Sequence, residues 1–270
     1  MDVCVFSKHL QDYDFRQLGQ ALRSIDVGGV DLTVRPGGHV EPGAVKDVLP
    51  EAVATLKEEG VHVSMITTAI TSADEPHARS VLETAAAQGI RYFKLGYYGY
   101  DGFGSLRGAL AEVEAKLRDL AALSKDLGLW AGFHNHSGPY IGANPAHVLR
   151  LIDDLDPDAI GSYFDIGHAT IEGASAGWLL GLDDLAARVR MVAIKDLTVE
   201  KTAEGNRIRV VPLGEGLVRW DEFAGALGRI ASEVGVMSFH GEYGERTAEQ
   251  VLALVQSDRA FFENIWKKVK

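Results

Sequence analysis

The chain has 270 residues, 46% hydrophobic and 24% charged, with a mean hydropathy of −0.01, a balance that excludes intrinsic disorder and supplies a sizeable core. Its formal net charge of −11 would repel a phosphate backbone, so no nucleic acid partner is expected. A single cysteine, Cys4, excludes an internal disulfide, and no run approaches the ~18 apolar residues of a membrane span, so no membrane partner is expected either.

Short apolar or β-branched runs recur along the chain, near Val3 to Phe6, Gly29 to Val34, Val61 to Thr67, Tyr92 to Gly96, Trp130 to His134, Gly161 to Asp165, Val189 to Lys195 and Val236 to Glu242. Between them lie segments with helical spacing, such as AVKDVLPEAVATLKEEG, ARSVLETAAAQG, LRGALAEVEAKLRDLAALSKDLG, AHVLRLIDDL, WLLGLDDLAARV and EFAGALGRIASEVG, and AEQVLALVQSDRAFFENIWKKVK closes the chain as a last helix. Gly60, Gly89, Gly128 and Gly235 stand directly before the next run, where a left-handed helix cap turns the chain back into a strand. Strands alternating with helices in this way predict an α/β fold, and eight near-continuous apolar strands at intervals of roughly 30 residues predict a single (β/α)8 TIM barrel spanning residues 1–270. No glycine-rich turn follows Phe6, and Gly214-Glu215-Gly216 is too short for a nucleotide loop, so no nucleotide cofactor is expected. The opening MDVCVFSKHL lacks a basic start followed by an apolar run, and the expected location is cytoplasmic.

Barrel enzymes work at the C-terminal ends of their strands, where the loops converge on one mouth. Six of the nine histidines, His9, His39, His134, His136, His168 and His240, fall at or just beyond predicted strand ends. Lys8, Arg35, Lys94, Asp165, Lys195, Asp196 and Glu242 join them. In GFHNHSG, His134 and His136 share a strand face and are able to meet one metal or one substrate. In YFDIGH, Asp165 ends a strand as a carboxylate ligand or base, with His168 in the following loop as a proton carrier. Lys195, in AIKDL, is placed either to stabilise an oxyanion or to brace the barrel through Asp196 or Asp165. Glu242, in SFHGEYG, closes the last strand beside His240 and is expected to oppose Asp165 across the mouth. Arg35 and His39 in RPGGHVEP present donors from a loop, and Tyr97 in GYYGYDGFG offers an apolar wall for a sugar ring.

The motifs FDIGH, IKD, PLGEG at 212–216 and the terminal GEY resemble the xylose-isomerase-like barrels, the sugar phosphate isomerase/epimerase group, over nearly the whole chain. That resemblance implies a divalent metal, manganese, zinc or magnesium, held by a Glu after strand five, an Asp after strand six, a His after strand seven and a Glu after strand eight. Asp165 and Glu242 match, whereas His134 stands at the strand-five Glu position and Ala193 at the strand-seven His position. Two readings of the site therefore stay open: a metal held by Asp165, Glu242 and His134, or a metal-free site.

The expected function is an isomerase or epimerase, or a related dehydratase, that moves a proton next to the carbonyl of a small sugar or keto-sugar. Asp165 or Glu242 acts as base, Lys195 or a metal stabilises the enediolate, and His168 or His134 moves a proton between oxygens. Lys8, Arg35, His39, Tyr97, His136 and His240 are the expected substrate-binding residues, with a neutral sugar preferred to a phosphorylated one. The alternative is a noncatalytic sugar-binding barrel that has lost the metal. A DNA-repair endonuclease, as found among the group's relatives, is disfavoured by the charge and the altered ligands. Assembly into a homo-oligomer is left open.

Overall fold

A computed structural model describes residues 1–269. In chain order its strands are β1 (Asp2–Phe6), β2 (Gly29–Thr33), β3 (His62–Thr67), β4 (Tyr92–Lys94), β5 (Trp130–His134), β6 (Ile160–Asp165), β7 (Val189–Ile194), β8 (Asp196–Thr202), β9 (Gly205–Val211) and β10 (Val236–Phe239). The helices are α1 (Phe15–Ser24), α2 (Val45–Glu58), α3 (Ala78–Ala87), α4 (Leu106–Leu127), α5 (Pro145–Ile152), α6 (Ile166–Gly173), α7 (Gly177–Leu185), α8 (Trp220–Ile230) and α9 (Ala248–Trp266). Strands β1 to β7 run round in sequence, and β10 closes between β7 and β1, with every barrel pair parallel. The protein is thus the (β/α)8 barrel that the eight apolar runs predict.

Strands buried on both faces explain why those runs are nearly continuous rather than alternating. Positions of β2, β5 and β6 are buried throughout, one face against the helices and the other inside the barrel. Inside, Cys4, Met65, Trp130, Tyr163, Met191, Ala193 and Val236 form their own cluster. This plug fills the barrel, so polar side chains gather above it, at the strand C-termini.

The helix boundaries follow local chemistry. Asp14 caps α1 in a reciprocal box with Gln17, Asn144 caps α5 ahead of Pro145, and Thr247 caps α9 with Gln250. Gly60, Gly89 and Gly128 adopt φ of 77°, 76° and 69°, the left-handed caps expected of them. Gly235 does not. A glycine suits that position for a different reason, because a Cβ there would overlap the Tyr92 hydroxyl.

Two elements depart from the sequence reading. Residues 196–211 form an antiparallel hairpin, β8 with β9, that leaves Val199 and Ile208 exposed. A search for apolar runs passes over such a ribbon, since solvent reaches both faces and few of its positions are apolar. Helix α6 follows β6 directly, capped by the Asp165 carboxylate accepting from the His168 amide, so His168 sits in a first helical turn and not in a loop.

Candidate active site

Lys195 organises the barrel mouth. Its buried ammonium lies 3.0 Å from Asp165 Oδ2 and 3.3 Å from Glu242 Oε2. The two carboxylates therefore do not face each other across the barrel as expected. β7 separates their strands, and Lys195, one residue past its end, joins them. Burial alone would lower the lysine, but Asp165 first and then Glu242 hold it above its ordinary value, so the ammonium is permanent.

Asp165 is fully enclosed and saturated. Oδ2 also accepts from His134 Nε2 at 3.1 Å, and Oδ1 accepts from the His168 amide. Burial would raise its carboxyl, but Lys195 and the neighbouring imidazoles hold it well below the carboxylate range. The Asn135 side chain fixes its backbone, accepting from the Asp165 amide at 2.8 Å and donating to the Asp165 carbonyl at 2.9 Å. Asn135 is a site residue that the sequence reading passed over. The signal was its position between the two histidines of GFHNHSG, at the end of a buried strand.

Glu242 is the carboxylate that reaches the cavity, with its side chain 20% exposed. Oε1 accepts from Lys8 at 3.0 Å and lies 3.6 Å from His9 Nε2, while Oε2 faces Lys195 and stands 3.9 Å from His240 Nδ1. Burial pushes its carboxyl up, but Lys195 and the histidines outweigh that and hold it well below its usual value.

The imidazoles form two groups. His136 and His240 line the cavity, His240 sharing a 2.9 Å hydrogen bond with the Tyr163 hydroxyl through Nε2. His134 and His168, expected to move protons, are not among the cavity-lining residues: His134 is pinned on Asp165, and His168 shares a hydrogen bond with Ser137 and has its ring 3.8 Å from that of His136. Burial lowers all four, His134 to about 3. Neutral His134 then carries its hydrogen on Nε2, and Nδ1 is a buried acceptor with no partner.

The remaining wall holds Lys8, Arg35, Lys94 and Tyr97 around a cavity of about 100 Å³. Lys94 Nζ donates to the Leu95 carbonyl at 2.7 Å and lies 3.8 Å from the centre of the Tyr97 ring. Arg35 packs over Phe6. His39 is outside this group, its ring nitrogens engaged by Thr33 Oγ1 and the Leu10 carbonyl. Beneath the mouth lies a carboxylate that sequence reading missed, Asp31, which accepts from Thr67 and Ser238 and which burial raises to about 7. Asp196 has a structural part: it pairs with neither Lys195 nor substrate space, but accepts from the amides of Leu197, Gly214, Gly216 and Val218 and from Trp220 Nε1. The IKD and PLGEG motifs are thereby one unit, a carboxylate and the loop it folds.

A profile of the xylose isomerase-like TIM barrel family matches residues 20–256. The chain belongs to that family. Among curated proteins, inosose dehydratase 2 of Bacillus cereus is 27% identical over 118 residues, a stretch that covers 39% of this chain and 38% of that relative. Among solved structures, 3-keto-D-glucoside 4-epimerase from E. coli superposes with a TM-score of 0.74 at 16% identity, covering 98% of this chain and 99% of the other. A xylose isomerase-like TIM barrel protein from Mycobacterium smegmatis, solved in complex with magnesium, gives 0.72 at 14% identity, covering 99% and 97%. At such identities the structural likeness speaks for the fold.

The xylose isomerase-like family implies a divalent metal, and the residues here do not fit one. Lys195 places a cation within hydrogen-bond reach of the two carboxylates that would hold the ion. His134 directs an N–H, not a lone pair, at Asp165, and Ala193 offers no donor. No group of three His, Cys, Asp or Glu among the described residues is placed to hold a metal ion. The set Asp165, Glu242 and His134 is built around an ammonium.

Proposed function

We propose that the protein catalyses proton transfer next to the carbonyl of a small sugar or keto-sugar, as an isomerase or epimerase. The observation that carries this reading is the Glu242–Lys195–Asp165 array, in which one carboxylate faces the cavity and the other is sealed behind the lysine. Glu242 is the base, because Asp165 has no exposed surface to offer substrate.

Charge is conserved during the step. Glu242 takes the carbon-bound proton and becomes neutral, while the electron pair moves onto the carbonyl oxygen as an enediolate. Lys195 thus exchanges one anionic partner for another and keeps Asp165 throughout. The low basicity that Lys195 imposes on Glu242 is offset by the same lysine stabilising the oxyanion. His240 or His136, neutral and at the cavity wall, passes the proton between neighbouring oxygens. This barrel hosts many chemistries, and it is the side chains at the mouth, not the fold, that favour this reaction class.

The test is deuterium exchange from D₂O into a panel of small ketoses and aldoses. Wild-type protein is expected to label the carbon beside the carbonyl, and Glu242→Gln to do so about 10²-fold or more slower. Equal labelling by both proteins would overturn the assignment.

A further inference from the structure

The cavity carries more positive charge than its own carboxylates neutralise. Four cations, Lys8, Arg35, Lys94 and Lys195, face it with one carboxylate, Glu242. Lys195 is matched by Asp165 from behind, and Lys8 shares Glu242. Arg35 and Lys94 have no carboxylate within ion-pair distance among the described residues. Asp31, whose field reaches both cations, is turned to Thr67 and Ser238.

Lys94 is only 3% exposed, and its hydrogen-bond partner is the neutral Leu95 carbonyl. Burying an ammonium near a guanidinium without an ion-paired carboxylate is unfavourable, and it shows in the lysine itself, lowered to about 7 by burial first and the Arg35 charge second, which Asp31 and Glu242 offset only in part. A protein that keeps this pair in its cavity wall gains from it when an anion arrives.

We infer that the substrate carries an anionic oxygen group, a carboxylate or a phosphoryl, held between Arg35 and Lys94. This rests on the proposed proton transfer and names the substrate class for it. The barrel order supports the division of labour. Arg35 follows β2 and Lys94 ends β4, while Lys195 and Glu242 follow β7 and β10. The anion is bound on one side of the mouth and the reactive carbon is presented to Glu242 on the other. Planar guanidinium donors suit either oxyanion bidentately, and the ammonium adds a point charge. A neutral sugar, preferred on residue counts alone, leaves the pair uncompensated.

A matched three-carbon series tests this by titration calorimetry at pH 7: glycerate for the carboxylate, glycerol phosphate for the phosphoryl and glycerol as neutral reference. Wild-type protein is expected to bind at least one anion at least tenfold more tightly than glycerol, and the tighter one identifies the group. Arg35→Gln and Lys94→Met are each expected to lose tenfold or more of that affinity. Arg35 is partly exposed, so its variant stays informative if the buried Lys94 substitution fails to fold. Binding of neither anion above glycerol, or binding unchanged in Arg35→Gln, overturns the inference. Deuterium exchange separates the two claims: labelling confined to neutral sugars overturns the anion site, whereas Arg35-dependent anion binding with no labelling of any carbonyl compound upholds the anion site and overturns the catalytic reading.

Discussion

Asn135 and Asp165 exchange two hydrogen bonds across the ends of β5 and β6, the Asn135 amide oxygen accepting from the Asp165 N–H and its nitrogen donating to the Asp165 carbonyl. Both residues are fully buried, so this clamp sets where the carboxylate under Lys195 sits. The Lys195 ammonium is thus positioned through a residue that does not line the cavity. Asn135→Ala leaves two buried backbone groups unpaired and is expected to cost about 1–3 kcal/mol of stability in urea unfolding. An unchanged midpoint would show that water replaces the clamp.

Asp165→Asn and Glu242→Gln are expected to differ in kind. Removing the Asp165 charge leaves Lys195 buried with one partner, a loss of about 3–5 kcal/mol for breaking a buried pair. Glu242 is partly exposed, and Lys195 keeps Asp165 without it, so Glu242→Gln is expected to cost less stability than Asp165→Asn while losing exchange. Equal destabilisation by the two would contradict the assignment of Asp165 to holding and Glu242 to chemistry.

The pH dependence has two opposed parts. Asp165 and Glu242 are held below their ordinary values, so their contribution is complete above about pH 4 and is lost as pH falls through the depressed range. Asp31 is raised to about 7, so between about pH 4 and 7 the folded chain binds its proton more tightly than the unfolded chain, and stability falls as pH rises through that window. Asp31→Asn is therefore expected to gain stability relative to wild type at pH 8 but not at pH 4. Urea unfolding at the two values checks the sign, and a constant difference would refute the shift.

His134, lowered to about 3, is expected to remain neutral with its proton on Nε2 from about pH 5 to 8. Nitrogen NMR of labelled histidine reads both features directly. A titration of this ring in that interval would mean that burial does not outweigh the pull of Asp165 on the charged form.

Because Lys195 fills the space between the carboxylates, purified wild-type protein is expected to retain far less than one equivalent of manganese or zinc after dialysis. Lys195→Ala, with both anions uncovered, is expected to be stabilised by manganese in thermal unfolding. One tightly held equivalent in the wild type, lost in Asp165→Asn, would reverse the assignment of Lys195 as the resident cation.

The sequence by itself determined the architecture. Eight runs apolar on both faces have no stable home except a sheet covered on both sides, and helical segments of matching period between them close that sheet into a barrel, so the site's place at the strand C-termini followed as well. Asp165, Lys195 and Glu242 were legible because each stands at the end of such a run. Their partnerships were not, since they depend on barrel neighbours distant in the chain: Lys195 could pair with Asp196 beside it, and the fold sends Asp196 to the loop of Gly214 and Gly216 and Lys195 to Asp165 and Glu242. Asp31 and Asn135 escaped notice because burial, not residue type, makes them matter. The uncompensated Arg35 and Lys94 emerged only when the strands brought every nearby carboxylate into place, because an ion pair is decided by distances of a few ångströms that the order of residues does not contain.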